Sequence, residues 1–214
     1  MRNLLSKRIF VRVNENPSRV EAFSDGVFAI AITLLILEIR VPHGDGRGLW
    51  AGLLALWPSY IAFLMSFFVI LIEWVNHHEL LRMVRAVNYP FLFANGFLLL
   101  TVTFLPFPTA VLAAKLATPD AGAAVAFYCA TFVANALFWN VLFATMVRGG
   151  LLRAEVLESV VRNIRRTYYV SMAVYVLAAG LAFVQPALGL LLNASLWIVF
   201  VRLGYRSESA SSRR

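Results

Sequence analysis

The chain has 214 residues, of which 61% are hydrophobic and only 14% charged, with a formal charge of +8. A water-soluble domain carries about a quarter charged residues, so this much apolar surface excludes a single water-soluble core and has to face lipid. The basic residues stand at the ends of apolar runs instead of gathering on one polar face, which sets nucleic-acid binding aside, and the single cysteine, Cys129, allows no intrachain disulfide.

Residues 1–18 read as a polar, basic arm (Arg2, Lys7, Arg8, Arg12) ending at Pro17-Ser18, with Ser18 as N-cap of the first helix. That helix is predicted from about Arg19 to Arg40, where Pro42 and the Gly-rich His43–Gly48 stretch end it. The second span is expected over about Leu49–Asn76, and the third over about Asn88–Phe107, stopped by Pro106 and Pro108. A fourth covers about Ala121–Val147, a fifth about Tyr168–Val184 and a sixth about Pro186–Leu203. The last two abut at Gln185-Pro186, which requires a tight helical hairpin. The tail, residues 204–214, is rich in Ser and Arg and reads as disordered from Ser207 onward. The expected architecture is therefore an all-α integral membrane protein with six transmembrane helices over residues 19–203.

The first helix is not a cleaved signal peptide, because Glu21, Asp25, Glu38 and Arg40 bracket its apolar stretch and no small-residue cleavage site follows. Sixteen Lys and Arg fall on one side of the six-span layout against three (Arg40, Arg47, Lys115) on the other. The positive-inside rule then places both termini in the cytoplasm.

The first helix is also poorly suited to face lipid. Its strictly apolar part, Val27–Leu37, is too short to cross alone, and the remaining turns carry Glu21, Ser24, Asp25 and Glu38. Ionisable groups at membrane depth face protein or water, so this helix is expected inside the assembly. At about 100° per residue, Phe23, Gly26, Ile30, Thr33, Leu34 and Leu37 share one stripe. Glu21, Asp25, Phe28, Ile32 and Leu35 lie opposite, with Ser24 nearby. If Asp25 binds within its own subunit, Ile30 and Leu37 point toward another subunit or an axial pore.

Arg19-Val20-Glu21-Ala22-Phe23-Ser24-Asp25 reads R-x-x-x-F-S-D and leads into Gly-Val-Phe-Ala-Ile-Ala-Ile-Thr. With Trp74-Val75-Asn76-His77-His78 after the second span, and Asn95 followed by Phe104-Leu105-Pro106-Phe107 in the third, the chain resembles the bacterial branch of the transmembrane protein 175 family of potassium channels. The resemblance implies one motif per chain, a homotetramer in a bacterial inner membrane, first helices lining a shared pore, and passive conduction of K+ with no cofactor. It places the narrowest ring at Ile30, associates Thr33 with potassium preference and makes Leu37 the next pore layer, with Leu34 on the same stripe. It also implies a polar network supporting the pore, containing Arg19, Phe23, Ser24 and Asp25, with Trp74, His77 and Asn95 as partners on neighbouring helices. The Thr-Val-Gly-Tyr-Gly filter of other potassium channels is absent.

Blander readings stand beside these. Arg19, Ser24 and Asp25 also suit a helix cap at the interface, and Ile30, Thr33 and Leu37 suit core packing. His77-His78-Glu79 invites a metal site, but adjacent helical residues diverge by about 100°, so a polar network or a pH-sensitive cap fits better. Asn135, Asn140 and Asn193 are expected to hydrogen-bond between helices. The Arg162–Arg166 cluster is expected to set topology and meet anionic lipid. Trp50, Trp57, Trp74 and Tyr168-Tyr169 read as interfacial belt residues. Sequence motifs of hydrolases and nucleotide-binding enzymes are absent. The competing functional class is a secondary transporter of ions or small solutes; a non-conducting scaffold is a third.

Overall fold

The computed structural model describes residues 12–13, 17–42 and 48–211. Its helices, in chain order, are α1 (Pro17–Leu34, continued by a 3-10 turn at Leu35–Glu38), α2 (Leu49–Ala55), α3 (Trp57–Arg82), α4 (Tyr89–Phe104), α5 (Pro106–Lys115), α6 (Ala121–Arg148), α7 (Glu158–Leu181) and α8 (Pro186–Ser211). Two short strands, β1 (Arg12–Val13) and β2 (Val87–Asn88), pair antiparallel and bring the N-terminal arm to the start of α4. Most of the arm, residues 43–47 of the glycine-rich breaker and the last three residues of the tail lie outside the described residues.

Among the described residues, four stretches are long and apolar enough to cross a membrane: Pro17–Glu38, Trp57–Arg82, Tyr89–Lys115 and Ala121–Arg148. Helix α7 is diluted by Arg162, Arg165 and Arg166, and the apolar part of α8 is Pro186–Val201.

Several boundaries differ from those the sequence predicts. Helix α1 begins at Pro17, so Ser18 lies inside the first turn and is not the N-cap. Proline suits that first position, where its missing N–H and fixed φ cost nothing. The second span is broken at Leu56 and restarts at Trp57-Pro58 for the same reason. The two prolines at 106 and 108 do not end the third span. They bend it at Leu105, and α5 carries it on to Lys115, because prolines in a first helical turn remove only N–H groups that have no intrahelical partner. Helix α7 starts at Glu158, ten residues before Tyr168, so Arg162, Arg165 and Arg166 ride on helix and not on a loop. Helix α8 runs on to Ser211, so residues 207–211 are helical where composition reads disorder.

The bend at Leu105 is tied by a directed chain of hydroxyls. Thr109 Oγ1 donates to the Leu105 carbonyl (2.7 Å). Its proton being spent, Thr109 accepts from Ser66 Oγ (2.6 Å), which in turn accepts from the Tyr128 hydroxyl (3.1 Å). All three groups are buried, and the chain joins α3, α5 and α6.

The hairpin expected between the last two helices is present, with α7 ending at Leu181 and α8 starting at Pro186. Gly189 makes it possible, since a Cβ there would stand 3.0 Å from the Ala178 carbonyl oxygen and 3.1 Å from Ala182 Cα. Apolar packing forms two clusters. One, around Val20, Leu80, Phe91, Leu98 and Met146, closes the end of the bundle near the α3–α4 turn. The other, around Phe28, Leu35, Ile70, Leu105 and Phe132, fills the rest.

Candidate functional site

Between Val20 in one cluster and Phe28 in the other, α1 places Ser24, which is fully buried. A lone hydroxyl there needs partners. Ser24 Oγ donates to the Val20 carbonyl (2.8 Å) and accepts from Asn95 Nδ2 on α4 (3.0 Å). The Asn95 amide oxygen lies 2.8 Å from His77 Nε2 on α3. Because the Asn95 nitrogen is the donor to Ser24, its oxygen must accept from His77. That fixes the imidazole as the Nε2–H form. His77 Nδ1 has no partner among the described residues; the ring is walled by Phe28 at 5.4 Å and Trp139 at 6.0 Å between centroids.

Two further bonds run from α1 to α3. Asp25 Oδ1 accepts from Trp74 Nε1 (2.8 Å), and Glu21 Oε1 pairs with His78 Nδ1 (2.8 Å). His77 and His78 thus serve different partners, as their angular separation requires, and share no ligand. Ser24, Asn95 and His77 thus form one interhelical chain of hydrogen bonds, with Asp25–Trp74 and Glu21–His78 as separate α1–α3 pairs beside it. Arg19 and Phe23 are not part of it. Arg19 is exposed and makes no hydrogen bond or ion pair among the described residues, and Phe23 is 65% exposed. Helical geometry accounts for both: Phe23 falls on the stripe of Ile30, and Arg19 is turned about 140° from Ser24.

The opposite face of α1 is apolar and uncovered. Ile30 is 61% exposed, Leu37 69% and Leu34 40%, whereas Val20, Phe28, Ala31 and Leu35 are buried. Thr33 lies on this open face; its Oγ1 is within 2.9 Å of the Ile30 carbonyl and 3.0 Å of the Ala29 carbonyl, so its proton is committed to the helix backbone.

Other polar positions sort as follows. Asn135 bridges helices, donating to Glu73 Oε2 (3.2 Å) and Thr101 Oγ1 (3.0 Å). Asn193 reaches Cys129 Sγ at 3.8 Å. Asn140 chiefly bonds its own helix, at the Ala136 carbonyl (2.8 Å). Tyr168 is not a belt residue: it is buried between Trp139 and Phe143. Trp74 is tied to Asp25. Sequence reasoning missed Glu73, a buried carboxylate in the apolar helix α3. Its signal was available as the single acidic residue between Trp57 and Asn76.

Comparison with known proteins identifies the family. The sequence profile of the family described as "Endosomal/lysosomal potassium channel TMEM175" matches residues 19–106, which contain both the α1 motif and its partners on α3 and α4. A potassium channel of Chamaesiphon minutus is 45% identical over 171 residues, covering 78% of this chain and 84% of that protein. A potassium channel of Streptomyces collinus is 46% identical over 181 residues, covering 83% and 87%. The crystal structure of a Chamaesiphon minutus homologue of the lysosomal potassium-selective channel TMEM175 superposes with a TM-score of 0.77 at 42% identity, over 88% of this chain and 97% of that one. The chain belongs to the TMEM175 family of ion channels, not to a family of enzymes.

Proposed function

We propose that the chain is one subunit of a potassium-permeable cation channel in a cell membrane, a homotetramer of six-span subunits whose first helices line a shared axial pore. One observation carries the reading. Helix α1 is bonded to its own subunit along Val20, Ser24 and Phe28, while the ridge of Ile30, Leu34 and Leu37 is left open. A helix pinned by polar bonds on one side and bare on the other is suited to face copies of itself around an axis. The relatives named potassium channels, matched over most of their length, support K+ as the permeant ion.

A ring of four Ile30 side chains is an apolar constriction that loses water when narrow and stops ions by dewetting. A small tilt of the α1 helices widens and rewets it. Thr33, one turn on, supplies hydroxyl oxygens in place of part of the hydration shell, and Leu37 forms the next layer. No cage of carbonyls surrounds the ion, so potassium preference is expected to be moderate. The distribution of Lys and Arg supports cytoplasmic termini.

Purified protein in liposomes, loaded with K+ and diluted into K+-free buffer, is expected to pass K+ down its gradient without a coupled ion. Saturable, coupled turnover would instead indicate a transporter, and no flux would leave a scaffold. Native mass spectrometry in detergent is expected to give four subunits.

A further inference from the structure

Away from the open face of α1, a small cavity lies between α3, α6, α7 and α8. Glu73 and Asn135 line it together with Ser171 and the rings of Trp139, Tyr175 and Trp197. We propose that this cavity is a binding site for one small monovalent cation, an alkali ion or a primary ammonium group, held by the Glu73 carboxylate. The proposal stands apart from the conduction reading, because no lining residue lies on α1.

Three observations carry it. First, Glu73 is 9% exposed and sits nine residues, about 14 Å along the helix, inside the Arg82 end of α3. Its only hydrogen bond among the described residues is the one from Asn135 to Oε2, and no basic side chain pairs with it there. A carboxylate at membrane depth without a countercharge is costly, and such groups mark ion sites.

Second, two polar groups with no partner among the described residues line the same space. Ser171, 1% exposed, has an unpartnered Oγ, and the indole Nε1 of Trp197 is likewise unpartnered. Buried polar atoms left bare by the protein point to something else that bonds them. A cation bound only to Glu73 would leave Trp197 Nε1–H unused, so one accompanying water accepts from the indole and completes the ion's shell with Ser171 Oγ.

Third, the size is right. The space open to the centres of water-sized spheres is about 30 Å³, which holds about two such species, the ion and its water. The aromatic lining favours a poorly hydrated monovalent ion through ring quadrupoles.

The test uses purified full-length protein in detergent at constant ionic strength. Thermal unfolding and intrinsic tryptophan fluorescence are titrated with K+ or methylammonium, replacing N-methylglucamine. The parent is expected to give a saturable stabilisation and fluorescence change. Glu73→Gln is expected to lower apparent affinity at least tenfold, and Ser171→Ala several-fold with the carboxylate intact. Trp197→Phe is expected to reduce the fluorescence response while Glu73-dependent stabilisation persists. A response to K+ alone or to methylammonium alone identifies the ion within the class. If Glu73→Gln and Ser171→Ala titrate like the parent, any cation effect arises elsewhere, the pore included, and the proposal is overturned. A parent with no saturable response to either ion overturns it equally, leaving a cavity for water only. Should Glu73→Gln fail to fold, the Ser171→Ala titration decides.

Discussion

Asn95 holds α1, α3 and α4 together through one amide, and replacing it with Leu, which has a similar volume, isolates that role. The substitution removes the acceptor of His77 Nε2–H and the donor to Ser24 Oγ. Ser24 keeps its own bond to the Val20 carbonyl, so its loss is a single accepted bond, about 0.5–1 kcal/mol. His77 fares worse. Its Nδ1 has no partner among the described residues and its ring is fully buried, so an orphaned Nε2–H costs about 1–3 kcal/mol. The sum is about 1.5–4 kcal/mol, which for a chain of this length lowers the melting temperature by about 3–16 °C. Thermal unfolding in detergent, followed by tryptophan fluorescence, measures this. Ser24→Ala alone is expected to cost about 1 kcal/mol, and the double variant less than the two single losses combined, because they share one bond. A shift of less than about 1 °C for Asn95→Leu, or strict additivity with Ser24→Ala, would refute the reasoning.

Ile30→Asn is expected to wet the proposed constriction and lower the K+/Na+ permeability ratio in planar bilayers; an unchanged ratio removes Ile30 from the filter. Asp25→Asn weakens the charge-assisted bond from Trp74, by about 0.5–1 kcal/mol given its partial exposure, and is expected to reduce tetramer recovery in size-exclusion chromatography before it alters conduction. A well-folded tetramer of that variant that had merely lost selectivity would contradict the facing of α1. Gly189→Leu drives a side chain into Ala178 and Ala182 across the α7–α8 hairpin, for a loss of about 1–3 kcal/mol. Gly180→Ala, where a Cβ meets nothing within 4 Å, is expected to be neutral or slightly stabilising, and the two melting temperatures side by side check the argument.

The faces of α1 were legible because they depend only on helical period. Phe28 and Leu35 fall inside, and Ile30 and Leu37 outside, wherever the helix is placed. His77 and Asn95 were legible through the family resemblance, which implies partners for the α1 motif on neighbouring helices. Glu73 was legible as a lone acidic residue in an apolar span, but its pairing was not, since its hydrogen-bond partner among the described residues lies 62 residues away on α6. The fifth helix was cut short because three arginines lower the hydropathy of its first turns, although arginine is a good helix former. The third span was ended early because a proline interrupts a pattern in sequence whether it stops a helix or begins the next one. Arg19 and Phe23 entered the expected network through the motif alone, and among the described residues of the single chain both side chains are exposed.

The hydroxyl chain at Leu105 has a mechanical consequence. It fastens the bend between α4 and α5 to α3 and α6, so the joint is stiff, and the turn at Leu35–Glu38 rests against α3 and α5 beside it. Helix α1 is therefore backed along its whole buried side, at Val20, Ser24, Phe28, Ala31 and Leu35. A helix supported in that way tilts as a rigid rod, carrying Ile30 with it, and does not bow at one point.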